Sequence, residues 1–246
     1  MLRAVLICVL FISGAFAEKI SVLAAASLKF VLEDIKAEFL KSHKNDEIEI
    51  SYLSSGKAYA QIQNGSPAEL FIAADSGYPQ KVFENGLGAD KPQDYARGKL
   101  VVFSANKDFN ASDAKILQDS KIKHISIPNP KLAPYGVAAE SYIKSMKLEK
   151  ALEKKLVLGE SIGQATTYVK ESAAEVGFSA LSMVIKDEDK NITYTIIDQT
   201  YYDPIVQSLI VTKSGKDSKL AKDFAQYILV SKKAQEIFKE YGYDTP

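Results

Sequence analysis

The sequence predicts an α/β protein of two lobes, each built on a mixed, mainly parallel sheet. Three observations carry that expectation. Runs rich in Val, Ile, Leu and Phe alternate with helical spacing of apolar residues along the chain. Serine repeatedly stands where a strand-like run gives way to a helical one. No internal repeat or low-complexity linker divides the chain, as expected if it crosses from one lobe to the other and later returns.

The elements follow in order. Ile20–Ala26 reads as a strand ending at Ser27, after which Leu28, Val31, Leu32, Ile35 and Phe39 fall on one helix face. Ile48–Leu53 is a second strand ending at Ser54-Ser55-Gly56, and the short helix after it is closed by Gly65. Glu69–Ala74 reads as a buried strand, with Asp75 capping the next helix, and Lys99–Ser104 as another buried strand. His124–Pro128 is a strand running into a proline-rich loop, and a helix opens near Pro134-Tyr135-Gly136. A third serine junction, Gly159-Glu160-Ser161, precedes a helix from Ile162 to Ser172. Glu175–Ala180 and Ile205–Val211 are strands, and the segments 220–229 and 234–241 are the closing helices. Crossings between lobes are placed near residues 103 and 203. The expected division is therefore 18–102 for the first part of lobe one, 103–202 for lobe two and 203–246 for the return.

Residues 1–17 read as an export signal, with Arg3 as the charged start, Ala4–Ile12 as the apolar core and Ala15-Phe16-Ala17 as a cleavage site. That places the mature protein outside the cytoplasm. The uncharged run is too short for a membrane span, and Ile7 before Cys8 is a poor lipid-attachment context. Cys8 is the single cysteine, so a mature chain beginning at Glu18 has none for disulfides or thiol catalysis. Lysine plus arginine and aspartate plus glutamate each number 31. This balance lacks the basic footprint of a nucleic-acid binder.

Four junctions are candidate ligand sites: Ser27, Ser55, the Tyr135-Gly136 turn and Ser161-Ile162. Each serine has a plain reading as a helix cap. Together they suggest more. Helix starts carry unpaired N–H donors and the positive end of the helix dipole, so several starts aimed at one point make a neutral cup for an anion. Ala24-Ala25-Ala26, Gly56 and Gly163 keep side chains out of the way of that approach. None of the residues assigned to the cup is a carboxylate.

Enzyme readings find less support. The two histidines, His43 and His124, are scattered and lie in surface-like stretches. With no mature cysteine, zinc ligands are lacking. No nucleophile elbow, Walker loop or dinucleotide fingerprint is present. Adjacent Tyr201 and Tyr202 raise a ferric-ion site as an alternative, against alternating strand faces near a crossing. No catalytic residue, resident metal or cofactor is assigned.

The series Ala24-Ala25-Ala26-Ser27-Leu28, Ser54-Ser55-Gly56, Ala68–Asp75 and Glu236–Tyr243 resembles the periplasmic molybdate- and tungstate-binding proteins of ABC transporters. The similarity spans nearly the whole mature chain. It implies a location in the periplasm and a class II periplasmic-binding fold that closes around one tetrahedral oxyanion and delivers it to an inner-membrane permease, acting as a monomer. It also implies roles: Ser27 and Ser55 bind oxyanion oxygens through hydroxyl and N–H, and Tyr135 and Ile162 donate backbone N–H groups. Many members carry a tyrosine hydroxyl where this chain aligns Ala180, which implies either fewer side-chain donors here or compensation by Tyr135. Sulfate and phosphate receptors are the neighbouring alternatives.

Overall fold

A computed structural model describes residues 17–245; the export signal expected over 1–17 lies outside them except for Ala17. Among the described residues, no helix is long and apolar enough to cross a membrane.

The chain opens with β1 (Lys19–Ala25), a 3-10 turn (Ala26–Leu28), α1 (Lys29–Leu40), β2 (Glu47–Leu53), α2 (Ser55–Gln63), β3 (Leu70–Ile72), α3 (Gly77–Glu84) and β4 (Gln93–Gly98). It continues through β5 (Leu100–Ser104), β6 (Ile125–Pro128), α4 (Pro134–Ser145), α5 (Glu149–Leu152), β7 (Leu156–Gly159), α6 (Ile162–Lys170), β8 (Val176–Ala180) and β9 (Thr193–Ile196). It closes with β10 (Ile205–Val211), α7 (Lys219–Val230) and α8 (Lys232–Glu240). One five-stranded sheet has the order β2-β1-β3-β10-β4, the other β7-β6-β8-β5-β9.

Both sheets are mixed. Antiparallel pairings are as numerous as parallel ones, because β5 and β10, the strands that follow the two changes of sheet, each run against both neighbours. The first change of sheet falls between Gly98 and Leu100, so residue 103 lies inside a strand that belongs wholly to the second sheet. The second falls between Ile196 and Ile205, a span that contains residue 203.

Helices form where an apolar stripe can be buried. Val31, Leu32, Ile35 and Phe39 of α1 are buried at the spacing of one face, as are Leu220, Ala221, Phe224, Ala225 and Ile228 of α7. Gly65, with φ +85°, stops α2 in the left-handed conformation that glycine tolerates. One core cluster joins residues of both sheets, from Ile20 and Val22 to Val102, Ile125 and Phe178.

Candidate functional site

In the first sheet, β1 and β2 run parallel and pair Ala25 with Leu53 at their carboxyl ends. The chain therefore places Ser27 and Ser55 side by side just beyond the same edge. In the second sheet, parallel β6 and β7 pair Pro128 with Gly159, which sets the starts of α4 and α6 beside one another in the same way. Ligands in open α/β sheets bind beyond the carboxyl ends of strands for this reason.

Several contacts bring the two edges together. The Gly56 N–H donates to Leu132 O at 2.9 Å. A Cβ on Gly56 would stand 2.9 Å from that same oxygen, so only glycine admits the approach. The Ser182 hydroxyl donates to Ser27 O at 2.8 Å. A Cβ on Gly163 would lie 3.3 Å from Ala26 Cβ, so the start of α6 rests on the Ser27 turn. At the rim, Lys57 pairs with Glu160 at 2.5 Å. Two clefts flank the junction. One is a cavity of about 240 Å³ lined by Asp75, Tyr78, Pro134 and Val137 among others; the other is lined by Lys29, Tyr52, Ser161, Gly163 and Lys170.

The serine positions differ from simple caps. Ser54, not Ser55, caps α2, its hydroxyl accepting from Lys57 N at 3.4 Å. Ser55 is the first helical residue, fully buried, and its Oγ accepts the Ala74 N–H at 3.0 Å. Ser27 lies inside the 3-10 turn, and α1 has no side-chain cap. Its Oγ is buried and has no partner. Ser161 does cap α6, accepting from Gln164 N at 3.2 Å. Ser27 and Ser55 do not cap a helix, and a serine hydroxyl that accepts an N–H, as Ser55 does, still keeps its own proton to donate.

Ile162 is the first residue of α6 and Tyr135 the second of α4, so both carry first-turn N–H groups without intrahelical acceptors. The Tyr135 ring turns away from that end. It is buried, and its hydroxyl accepts from Gln207 Nε2 of β10 at 3.2 Å. Of the two expectations for the Ala180 position, fewer side-chain donors or compensation by Tyr135, this geometry favours the first as far as the hydroxyl is concerned, since that group is engaged inside the first-sheet half. Ala180 is buried at the end of β8. The group that reaches the Ser27 turn from that strand is Ser182, two residues later, together with Tyr243, whose hydroxyl lies 3.1 Å from Ser27 O.

A carboxyl also stands near the serines, which the sequence reading did not include. Asp75 follows Ala74, the residue bonded to Ser55. Its Oδ1 accepts from Tyr78 N at 2.7 Å at the start of α3, while its Oδ2 is buried without a partner. Burial pushes this carboxyl above its ordinary range, against the pull of the Tyr78 and Gly77 N–H groups.

The tyrosine pair does not form a metal site. Tyr202 is buried with its hydroxyl accepting the Leu100 N–H at 3.2 Å, whereas Tyr201 is 41% exposed and packs edge-on against Tyr142. Among the described residues, no group of three or more His, Cys, Asp or Glu side chains could hold a metal ion. His43 stacks on Phe39 and His124 faces Glu175, both away from the serine edge.

Residues 20–244 match the family described as bacterial extracellular solute-binding protein. The molybdate-binding protein ModA of Azotobacter vinelandii is 38% identical over 232 residues, covering 94% of this chain and 91% of that protein. The molybdate-binding protein ModA of Rhodobacter capsulatus is 37% identical over 194 residues, covering 78% and 75%. Among solved structures, the Azotobacter vinelandii periplasmic molybdate-binding protein superposes with a TM-score of 0.86 at 34% identity, over 92% of this chain and 99% of that one.

Proposed function

The chain belongs to the bacterial extracellular solute-binding proteins, and from that premise we propose that it captures molybdate or tungstate outside the cytoplasm and hands it to an ABC importer. The observation that supports the reading is a buried Ser27 hydroxyl with no partner among the described residues, at an edge where the Gly56 N–H meets Leu132 O and the start of α6 rests on the Ser27 turn. In this reading the starts at Ser27, Ser55, Tyr135 and Ile162 turn their donors to one anion. A tetrahedral dianion supplies the acceptor that this hydroxyl and the free N–H groups lack. Hydrogen bonds to a charged group contribute about 1.5–3 kcal/mol each. The identity with the molybdate-binding proteins of Azotobacter and Rhodobacter supports the choice of anion.

In this reading the two sheets with their helices are two lobes, 18–98 with 205–246 and 100–196, joined by the segments at which the chain changes sheet. The anion meets Ser27 and Ser55 in the open form. Closure then adds the Tyr135 and Ile162 N–H groups. The protein acts as an exported monomer, needs no resident cofactor, performs no catalysis and has no nucleic-acid partner. Titration calorimetry tests this directly. One equivalent of molybdate should bind far more tightly than sulfate or phosphate, and tighter binding of phosphate would overturn the assignment.

A further inference from the structure

Tyr135 does more at this site than present a backbone N–H. Its side chain leaves α4 in the second-sheet half and enters the first-sheet half, where Gln207 Nε2 donates to its hydroxyl at 3.2 Å. Gln207 Oε1 in turn accepts from Tyr95 on β4 at 2.9 Å. The Tyr135 hydroxyl also lies within reach of Tyr243, whose own hydroxyl is 3.1 Å from Ser27 O and 3.0 Å from Ser182 Oγ. Burial pushes the Tyr95 and Tyr135 hydroxyls far above the ordinary phenol value and Tyr243 to about 12, so all three stay neutral and keep a proton to donate. The chain of contacts thus runs under the floor of the site, from the start of α4 to the carbonyl of Ser27.

The space for this intrusion is made by Gly98, the last residue of β4 and the point of the first change of sheet. A Cβ at residue 98 would overlap the Tyr135 hydroxyl oxygen, stand 3.0 Å from its Cζ and 2.6 Å from Gln207 Nε2. Gly98 is not among the residues of positive φ, so its backbone does not require glycine. What requires it is the tyrosine in the slot.

We propose that Gly98 and Tyr135 form a closure latch: the Tyr135 hydroxyl seats in the Gly98 slot against Gln207 and Tyr243 only when the lobes close, and so sets the α4 N–H and the Ser27 turn for the anion. This rests on the two-lobe binding reading above. Gly98 and Gln207 are positioning residues that touch no anion; they act through Tyr135.

Gly98→Ala, Tyr135→Phe and the double variant test it by calorimetry, ligand-free melting and small-angle scattering, with molybdate, tungstate, sulfate and phosphate as probes. In Gly98→Ala, ligand-free melting should match the wild type, because the open form leaves the slot empty. Compaction on adding anion should be lost, and if the closed fraction falls tenfold the affinity falls about tenfold. Tyr135→Phe removes the overlapping oxygen, so the double variant should recover part of the loss and bind better than Gly98→Ala alone. A Gly98→Ala protein that compacts and binds like the wild type overturns the latch. So does one that melts lower without anion by as much as it loses in affinity, with no recovery in the double variant. If sulfate or phosphate closes the wild type and molybdate does not, the choice of anion fails while the latch is still read on the anion that closes it. A wild type that no probe closes overturns both.

Discussion

Ser27→Ala separates a ligand-seeking hydroxyl from a structural one. Ser27 Oγ is buried with no partner, whereas its carbonyl accepts from Ser182 and Tyr243. Alanine keeps the carbonyl and removes only the orphan oxygen. A buried polar group without a partner costs about 1–3 kcal/mol, so its loss should leave ligand-free stability no lower than wild type. Binding should respond in the opposite direction. One hydrogen bond to a dianion is lost, about 1.5–3 kcal/mol, which is roughly ten- to hundredfold in the dissociation constant. Urea denaturation without anion and calorimetric titration with molybdate give the two numbers. Wild-type affinity in this variant would remove Ser27 Oγ from the anion site, and a large loss of ligand-free stability would show that the oxygen has a protein partner.

Ser55→Ala should weaken binding by a similar factor and also lower ligand-free stability by about 1–3 kcal/mol, because the Ala74 N–H loses its acceptor; paired denaturation and calorimetry distinguish it from Ser27→Ala. For Asp75→Asn the sign follows from a carboxyl raised by burial. The folded wild type holds its proton more tightly than the unfolded chain, so it loses stability as pH rises from about 3.9 through the raised value, and the variant, which keeps an acceptor for Tyr78 N, should not. Denaturation curves across that range that fall equally in both proteins would exclude Asp75 as the cause. Glu160→Gln breaks an exposed pair with Lys57, a kind of contact worth about 0–1 kcal/mol, so affinity should change less than about fivefold and the effect should fade in high salt. Thermal melts should rise with molybdate or tungstate, by about 2.7 kcal/mol of stabilisation at a hundredfold excess over the dissociation constant, and hardly at all with equal sulfate or phosphate.

Most of the strands that could be read from the sequence are buried runs; β2, an edge strand with only Ile48 buried, was read from its alternating isoleucines and the serine break after it. β3, β5 and β8 are entirely buried runs, and the apolar residues of β10 bury all but one of its positions. The strands that left no clear signal, β4, β7 and β9, all lie at sheet edges. β4 reads Gln-Asp-Tyr-Ala-Arg-Gly, and every residue of β9 is partly or fully exposed. One face of an edge strand meets water, so neither a continuous apolar run nor strict alternation is imposed on it. The exact point of the first sheet change was hidden for a related reason. Gly98 and Leu100 are separated by one residue, and nothing local marks which sheet each joins.

The serine junctions were legible because strand, break and helix are consecutive in sequence, so a local pattern carries a local geometry. The partners of Tyr135 were not. Gln207 is 72 residues away from it and reaches it only after the chain has changed sheet for the second time. Tyr243 lies later still, held beside β4 by the Arg97–Asp244 bridge. Pro134-Tyr135-Gly136 announces a helix start and its N–H donors, but the direction of the ring is decided by a space at residue 98 that exists only once both sheets have formed. A glycine at the end of a strand looks like ordinary punctuation in sequence. Its purpose becomes visible when a side chain from the other half occupies the volume that a Cβ would fill. The candidate donors are therefore encoded locally, whereas the approach of the two halves at this edge is encoded by contacts between distant segments.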